Sequence, residues 1–444
     1  MKKRLAALAV SLLCFSSLFS YWLYTSDRLS VIAVAGFQET NPENNDLSAA
    51  EPEKELDTAQ KEAIEQSLPE EEPFQEYDIT LMAVGDNLMH MGIVNTGKQE
   101  DGTYDYSVLF QGIRSLLDIS DIKIINQDTI LGGNELGFSG YPRFNSPTQA
   151  GDAIAEAGFN VVLHASNHSA DQNIEGINHC AAFWNTHPEV LVTGIYGENG
   201  NTSDNIPLLT VKDVTFAVLN YTYGPNAETL PRGLEDHLNL LCAWNENSRA
   251  LDFTTLNPQV LEDISRAREL ADVVIVCPHW GAEYATAPSS YQKTFALQMA
   301  EAGADVIIGT HPHVVQPVEW IEAENGNRTL CYYSLGNYLS TQKQADCMLE
   351  ALAWITFHVT EDEVFITDKN TGVIPMVCQY SSGPLRFKKV YFLEDYTETE
   401  ALAHGIRNYA GVALRIEDLE KWSSEILGDW ILPVSQILNT DYQG

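Results

Sequence analysis

From residue 77 onward the chain alternates two textures. Short runs of β-branched and aliphatic residues recur at 79–84, 122–125, 160–164, 215–220, 272–277, 305–309 and 329–333, bounded by turn-forming residues. Between them lie segments with apolar positions at helical spacing, clearest at 107–117, 148–157 and 291–302. The last ends in Ala302-Gly303, a helix C-terminal signal, just before the next strand. This alternation predicts βα units around a largely parallel sheet. After residue 339 the pattern changes, and 351–359, 363–367, 372–379 and 386–392 predict antiparallel strands closing the sheet system. From 398 to 444 the series Leu402, Ile406, Ala410, Leu414 and then Leu419, Trp422, Ile426 returns at helical spacing. It predicts a helical tail that packs and carries no chemistry.

Two segments precede this body. Lys2, Lys3 and Arg4 stand before an apolar run from Leu5 to about Tyr24. Such a run, about 20 residues long, can span a hydrocarbon core of ~30 Å. The basic residues hold to the cytoplasmic side, so everything after the run is expected outside. The segment reads either as an uncleaved signal anchor or as a signal peptide cut after Ala33-Val34-Ala35. From about 37 to 76 the chain is acidic, polar and poor in large apolar residues, which predicts a disordered stalk. The expected division is therefore 1–36 anchor or signal peptide, 37–76 stalk, 77–395 globular domain and 396–444 helical tail.

Charge narrows the partners. Over 444 residues, 25 Lys and Arg face 62 Asp and Glu, a formal charge of −37. Nucleic acid needs a basic footprint and is excluded as a partner. Of seven cysteines, Cys14 lies in the apolar run; the other six could pair in several ways. Cys277 and Cys331 sit in strand-like runs and read as buried free thiols.

The residues just past the predicted strands carry the chemistry. In chain order, six of the strands run into Gly85-Asp86-Asn87, Asn126-Gln127-Asp128, Ser166-Asn167-His168, Pro278-His279-Trp280-Gly281-Ala282-Glu283-Tyr284, Thr310-His311-Pro312-His313 and Ser334-Leu335-Gly336-Asn337. The carboxyl ends of parallel strands meet along one edge, where ligands bind. Carboxylate, amide and imidazole groups gathered there suit a divalent metal such as Mn²⁺, Zn²⁺ or Fe²⁺. The candidate metal ligands are Asp86, Asp128, Asn167, His279, His311 and His313. A polar floor that holds substrate without metal is the alternative.

These segments, with His311-Pro312-His313-Val314-Val315-Gln316-Pro317-Val318-Glu319 and Tyr333-Ser334-Leu335-Gly336-Asn337 as the most specific, resemble the CapA family. These are capsule-synthesis proteins associated with poly-γ-glutamate, themselves similar to calcineurin-like metallophosphoesterases. The resemblance covers about 79–339. It implies an α/β fold of four layers, an α/β/β/α sandwich, behind a single-pass membrane anchor that places the domain outside the cytoplasm, or a secreted domain if the signal is cleaved. It implies a part in making or exporting an anionic surface polymer, with that polymer and its membrane synthase complex as partners. The chain departs from the phosphoesterase pattern at Asp86-Asn87-Leu88, where Asp-x-His is usual and His90 comes two positions late, and at Ser169, where an acid is usual. One metal is therefore expected in place of two.

On a hydrolytic reading His168 is the general acid, as the superfamily logic implies, or else a structural histidine bonded to a carboxylate. Glu283 is a general base, a support for a ligating histidine, or a partner of Arg143. Arg143 is a candidate clamp for a substrate phosphate or carboxylate. Trp280 and Tyr284 line the cleft or pack in the core, and Asn337 orients a ligand or loop. The competing functions are a metal-dependent hydrolase or transferase of an envelope polymer, a noncatalytic capsule-assembly protein with a degenerate metal site, and a secreted metallophosphoesterase.

Overall fold

The computed structural model describes residues 74–201 and 205–439. The anchor or signal segment and the stalk up to residue 73 lie outside the described residues. Among the described residues no helix is long and apolar enough to cross a membrane.

The described residues form, in chain order, the strands β1 (Tyr77–Asn87), β2 (Ile122–Asn126), β3 (Val161–Leu163), β4 (Leu191–Thr193), β5 (Leu208–Val211), β6 (Val214–Thr222), β7 (Cys242–Trp244), β8 (Leu251–Leu256), β9 (Val273–His279), β10 (Val306–Ile308), β11 (Val318–Glu322), β12 (Arg328–Tyr332), β13 (Asn337–Leu339), β14 (Leu349–Val359), β15 (Val364–Ile366), β16 (Gly372–Ser382) and β17 (Leu385–Phe392). All seven predicted βα strands are present, but they divide between two sheets. The first has the order β17-β16-β14-β1-β2-β3-β4, with β13 beside β1 and β15 beside β14. The second has the order β11-β12-β10-β9-β6-β5, and β7-β8 is a separate hairpin. Pairing is parallel from β1 to β4 and from β6 through β9 and β10 to β12. It is antiparallel among β1, β14, β16 and β17, as the change of pattern after 339 predicts.

The period-two alternation of each strand explains three buried clusters. Ile79, Leu81 and Ala83 of β1 share one cluster with Val273, Ile275 and Cys277 of β9, so inward faces of both sheets meet there. Met82 and Val84 turn the other way, toward Ile154 and Ile177 of the helices Gln149–Ala157 and Asn173–Trp184. Val274 and Val276 turn toward Val260, Ile264 and Phe295 of the helices Pro258–Leu270 and Ser290–Ala302. Strands buried on both faces read as continuous apolar runs, which is why these were legible.

The helix at 149–157 ends on Gly158 at φ +95°, and that at 290–302 ends on Gly303 at φ +114°. The 107–117 segment differs from expectation. It is a 3₁₀ turn, Ser107–Ile113, followed by one α turn, Arg114–Leu117. A Cβ at Gly112 would lie 2.1 Å from the Val390 carbonyl oxygen, so this segment is drawn tight against β17. The tail is a broken series of short helices. Ala401, Ile406, Leu414, Leu419 and Leu427 join the cluster between the sheets, and Val434 and Ile437 join the outer cluster of the first sheet. All six cysteines in the described residues are buried free thiols.

Candidate functional site

The carboxyl ends of the parallel strands in both sheets converge. Asp86 stands at a bulge in β1, opposite Asn126 of β2 and Asn337 of β13. Gly85 permits this: a Cβ there would lie 2.0 Å from the Gly336 carbonyl oxygen. The Asp86 carboxylate then accepts from Asn126 Nδ2 at 2.7 Å, from the His311 backbone N–H at 3.2 Å and from His313 Nδ1 at 3.1 Å. The second sheet supplies His279 at the end of β9 and the two histidines after β10.

His279 Nε2 lies 2.8 Å from Asn167 Oδ1 and 3.6 Å from Asp128 Oδ1. Its Nδ1 lies 3.0 Å from Thr310 Oγ1. His313 Nδ1 faces two acceptors, Asp86 and Asn337 Oδ1 at 3.0 Å, which fixes its proton there. His311, His313 and Tyr284 hold φ at +100°, +61° and +65°. Non-glycine residues rarely adopt this region, and each such residue costs about 1–3 kcal/mol, which the surrounding packing must offset.

The carboxylates, amides and imidazoles of this cluster are all buried. Burial, reinforced by the Asp86 charge, pushes the Asp128 carboxyl up to about 6. Burial and the neighbouring imidazoles hold His279 and His311 well below the ordinary histidine range. His313 is the exception. Burial disfavours its charge, but the hydrogen bond and charge of Asp86 outweigh that and raise its pKa.

Asp128 Oδ1 and Oδ2, Asn126 Oδ1 and His311 Nδ1 are buried without a hydrogen-bond partner. Three orphaned acceptor oxygens and an unpartnered imidazole nitrogen in one cluster are costly unless something positive fills it. Oxygen and imidazole donors of this kind fit a divalent cation. Among the described residues, however, no group of three or more His, Cys, Asp and Glu side chains is gathered ready to hold one. The reason is visible in the contacts: His313 is turned onto Asp86 and His279 onto Asn167, so part of the donor set is bonded to itself.

The other predicted residues ring this cluster. His168 Nδ1 lies 2.7 Å from Asp171 Oδ2, and the Phe144 ring packs edge-on at 4.7 Å between centroids. Burial opposes charge on His168, but the hydrogen bond to Asp171 together with the Asp128 and Asp171 charges outweighs it, so its pKa is raised. Arg143 is exposed and donates Nε to the Asp171 carbonyl at 2.9 Å. Its guanidinium is thus tied to the loop that orients His168 and does not engage Glu283. Glu283 is exposed at the mouth, where its charge bears on Tyr223 and Tyr284. Trp280 is buried and donates to the Tyr333 carbonyl at 2.9 Å. Tyr284 is partly exposed beside His313, with 6.1 Å between ring centroids. Asn337 holds His313 from both sides, accepting from Nδ1 and donating to its carbonyl at 3.2 Å. His90 lies beside the cluster, held down to about 4 by burial and His313, with Nδ1 accepting from the Thr341 N–H at 3.4 Å.

Three residues escape the sequence reading as site residues. Asn126 sits inside a quoted motif, yet an amide before an acid draws no notice. Tyr223, whose ring packs 4.7 Å from His311, and Asn226, 3.0 Å from Asn167 Nδ2, belong to a turn with no metal-like spacing.

Comparisons with known proteins bear on the same stretch. Residues 80–342 match the family described as Bacterial capsule synthesis protein PGA_cap. The capsule biosynthesis protein CapA of Bacillus anthracis is 31% identical over 236 residues, 52% of this chain and 50% of that protein. The PGA biosynthesis protein CapA of Bacillus subtilis (strain 168) is 30% identical over 190 residues, 43% of this chain and 44% of that protein. The chain spans about half the length of the curated relatives it matches. Among solved structures, that of a hypothetical protein from Thermus thermophilus aligns with a TM-score of 0.35 and 16% identity, over 65% of this chain and 99% of that one. The family match takes in more than half of the chain and every candidate residue from Asp86 to Asn337; the chain belongs to the bacterial capsule synthesis protein family, PGA_cap.

Proposed function

We propose that this protein acts in the synthesis or export of an anionic capsule polymer of the poly-γ-glutamate type, through a metal-dependent, hydrolase-like centre. The domain would stand outside the cytoplasm on the N-terminal anchor, or be secreted if that segment is cleaved, beside a membrane synthase complex. Its architecture on this reading is the four-layered phosphoesterase-like sandwich, which the shared cluster between the two sheets supports.

The observation that carries the reading is the convergence of Asp86, Asn126, Asp128, Asn167, His279, His311 and His313 in one buried cluster with four unpartnered polar atoms, three of them acceptor oxygens. These residues would hold one Mn²⁺, Zn²⁺ or Fe²⁺. A cation there supplies Lewis-acid polarisation of a phosphoryl or acyl oxygen. The chain's own groups do the rest. His168, oriented by Asp171 and steadied by Phe144, is placed to give a proton to a leaving group. Glu283 at the mouth is the available base. Tyr284, beside His313, and Arg143, held on the Asp171 loop, would be the contacts for incoming substrate, and Asn337 keeps His313 in place.

A noncatalytic assembly role is the second reading, favoured by the contacts of His313 with Asp86 and of His279 with Asn167. Elemental mass spectrometry of the purified full-length chain decides between them, run beside His311→Ala/His313→Ala. Near-stoichiometric metal that is lost in the double variant supports the metal centre. A folded wild type that takes up no metal after incubation with Mn²⁺ or Zn²⁺ sinks it and leaves the assembly role.

A further inference from the structure

The turn Tyr223-Gly224-Pro225-Asn226 leaves β6 of the second sheet and reaches the loop that follows β3 of the first. At its start the Tyr223 N–H donates to the His279 carbonyl at 3.0 Å. At its end Asn226 grips Asn167 twice. The Asn226 backbone N–H donates to the Asn167 carbonyl at 3.3 Å, and Asn226 Oδ1 accepts from Asn167 Nδ2 at 3.0 Å. The Tyr223 hydroxyl donates to the same Oδ1 at 3.4 Å, so two donors meet on that oxygen.

The consequence lies at the other end of the Asn167 side chain, which is buried. A carboxamide has one donor end and one acceptor end. With Nδ2 committed to Asn226, Asn167 presents Oδ1 to the cluster, 2.8 Å from His279 Nε2. The same imidazole nitrogen lies 3.6 Å from Asp128 Oδ1, one of the unpartnered oxygens. An amide oxygen is a ligand for a divalent cation, whereas an amide turned the other way would offer only N–H donors there. Asn226 also places its Nδ2 3.3 Å from His168 Nδ1, but the nearer partner of that nitrogen is Asp171 at 2.7 Å. Asn226 itself is exposed, so the core does not depend on its side chain.

We propose that Asn226 is a positioning residue of the centre: it fixes the Asn167 amide with its oxygen toward the histidine–carboxylate cluster and so raises the affinity for a divalent cation. The inference rests on the reading of the cluster as a cation site.

Isothermal titration calorimetry of the full-length chain with Mn²⁺ and, separately, Zn²⁺ tests it. Asn226→Ala should bind about 10- to 100-fold more weakly at unchanged stoichiometry, the usual effect of removing a residue that orients a ligand. The melting temperature of the metal-free variant should stay that of the wild type, because the backbone bond to Asn167 remains. Asn226→Asp keeps an acceptor for Asn167 Nδ2 and should bind at least as tightly as the wild type. Ala227→Asp puts the same charge one residue on without that acceptor, and should not restore Asn226→Ala. In an Asn167→Ala background the further change Asn226→Ala should cost nothing more. Wild-type affinity in Asn226→Ala overturns the inference and leaves the cation centre standing. So does weak binding by Asn226→Asp, rescue by Ala227→Asp, a full second loss in the Asn167→Ala background, or a lowered melting temperature of metal-free Asn226→Ala. A folded wild type that binds neither metal overturns the centre and the inference together.

Discussion

At the scale of single residues, the protein keeps charge where burial disfavours it and neutrality where sequence would not suggest it. Glu350 of β14 is the sharpest case. It is wholly buried, neither oxygen has a hydrogen-bond partner, and burial holds its pKa well above the ordinary carboxylate range. An acid whose pKa is raised on folding stabilises the fold fully below its unfolded pKa, and that contribution is lost as pH rises through the folded value. Stability should therefore fall as pH rises from about 4.5, with a slope of up to ~1.4 kcal/mol per pH unit from this group. Glu350→Gln should flatten the profile by that amount in urea titrations from acid to alkaline pH. An unchanged slope would show that the carboxyl ionises without cost. Gly85 makes a steric prediction. Gly85→Ala puts a methyl 2.0 Å from the Gly336 oxygen, at the bulge that aims Asp86. We expect a loss of about 3 kcal/mol or more in thermal or urea unfolding; a near-neutral effect would mean that β1 and β13 can part freely.

At the scale of elements, the strands that could be read are those buried on both faces. The runs 79–84, 122–125 and 272–277 are mostly apolar, broken by Thr80, Lys123 and the opening Asp272, because neighbours cover both sides of β1, β2 and β9. The missed strands are short or one-sided. The exposures of β5 and β8 alternate or stay open, and β13 consists of Asn337, Tyr338 and Leu339, held by its parallel pairing with β1. The candidate site was legible for a similar reason: polar residues placed immediately after apolar runs stand out. Tyr223 and Asn226 did not, because their roles arise from a turn folding back over His311 and His168, which no spacing encodes. Two outcomes belong to this scale. Ser289 caps the helix Ser290–Ala302 reciprocally with Gln292, so Ser289→Ala should cost about 1 kcal/mol, seen as a lower melting temperature. Removal of 396–444 should expose the cluster between the sheets, since Ile406, Leu414, Leu419 and Leu427 complete it. The truncated chain should aggregate or lose cooperative unfolding; a soluble product with the parent melting temperature would show the tail to be an independent appendage.

At the scale of the molecule, a formal charge of −37 opposes an anionic polymer. If the protein binds poly-γ-glutamate, binding should strengthen on going from about 20 to 300 mM salt, because screening over ~10 Å relieves like-charge repulsion. Co-sedimentation at the two salt levels measures this. Binding that weakens with salt would point to a local cationic surface instead. The arrangement of the centre has a further consequence, in time. Asp86 meets His313 across 227 positions, and β1 finds its antiparallel partner only in β14. Contacts so distant along the chain close late and slowly. A chain emerging from its N-terminus can form the helices and local β-hairpins first, yet it owns no complete centre until His311 and His313 arrive. Recovery of ligand binding in refolding should therefore lag the recovery of helical signal, making the cluster a clock for the last step of folding.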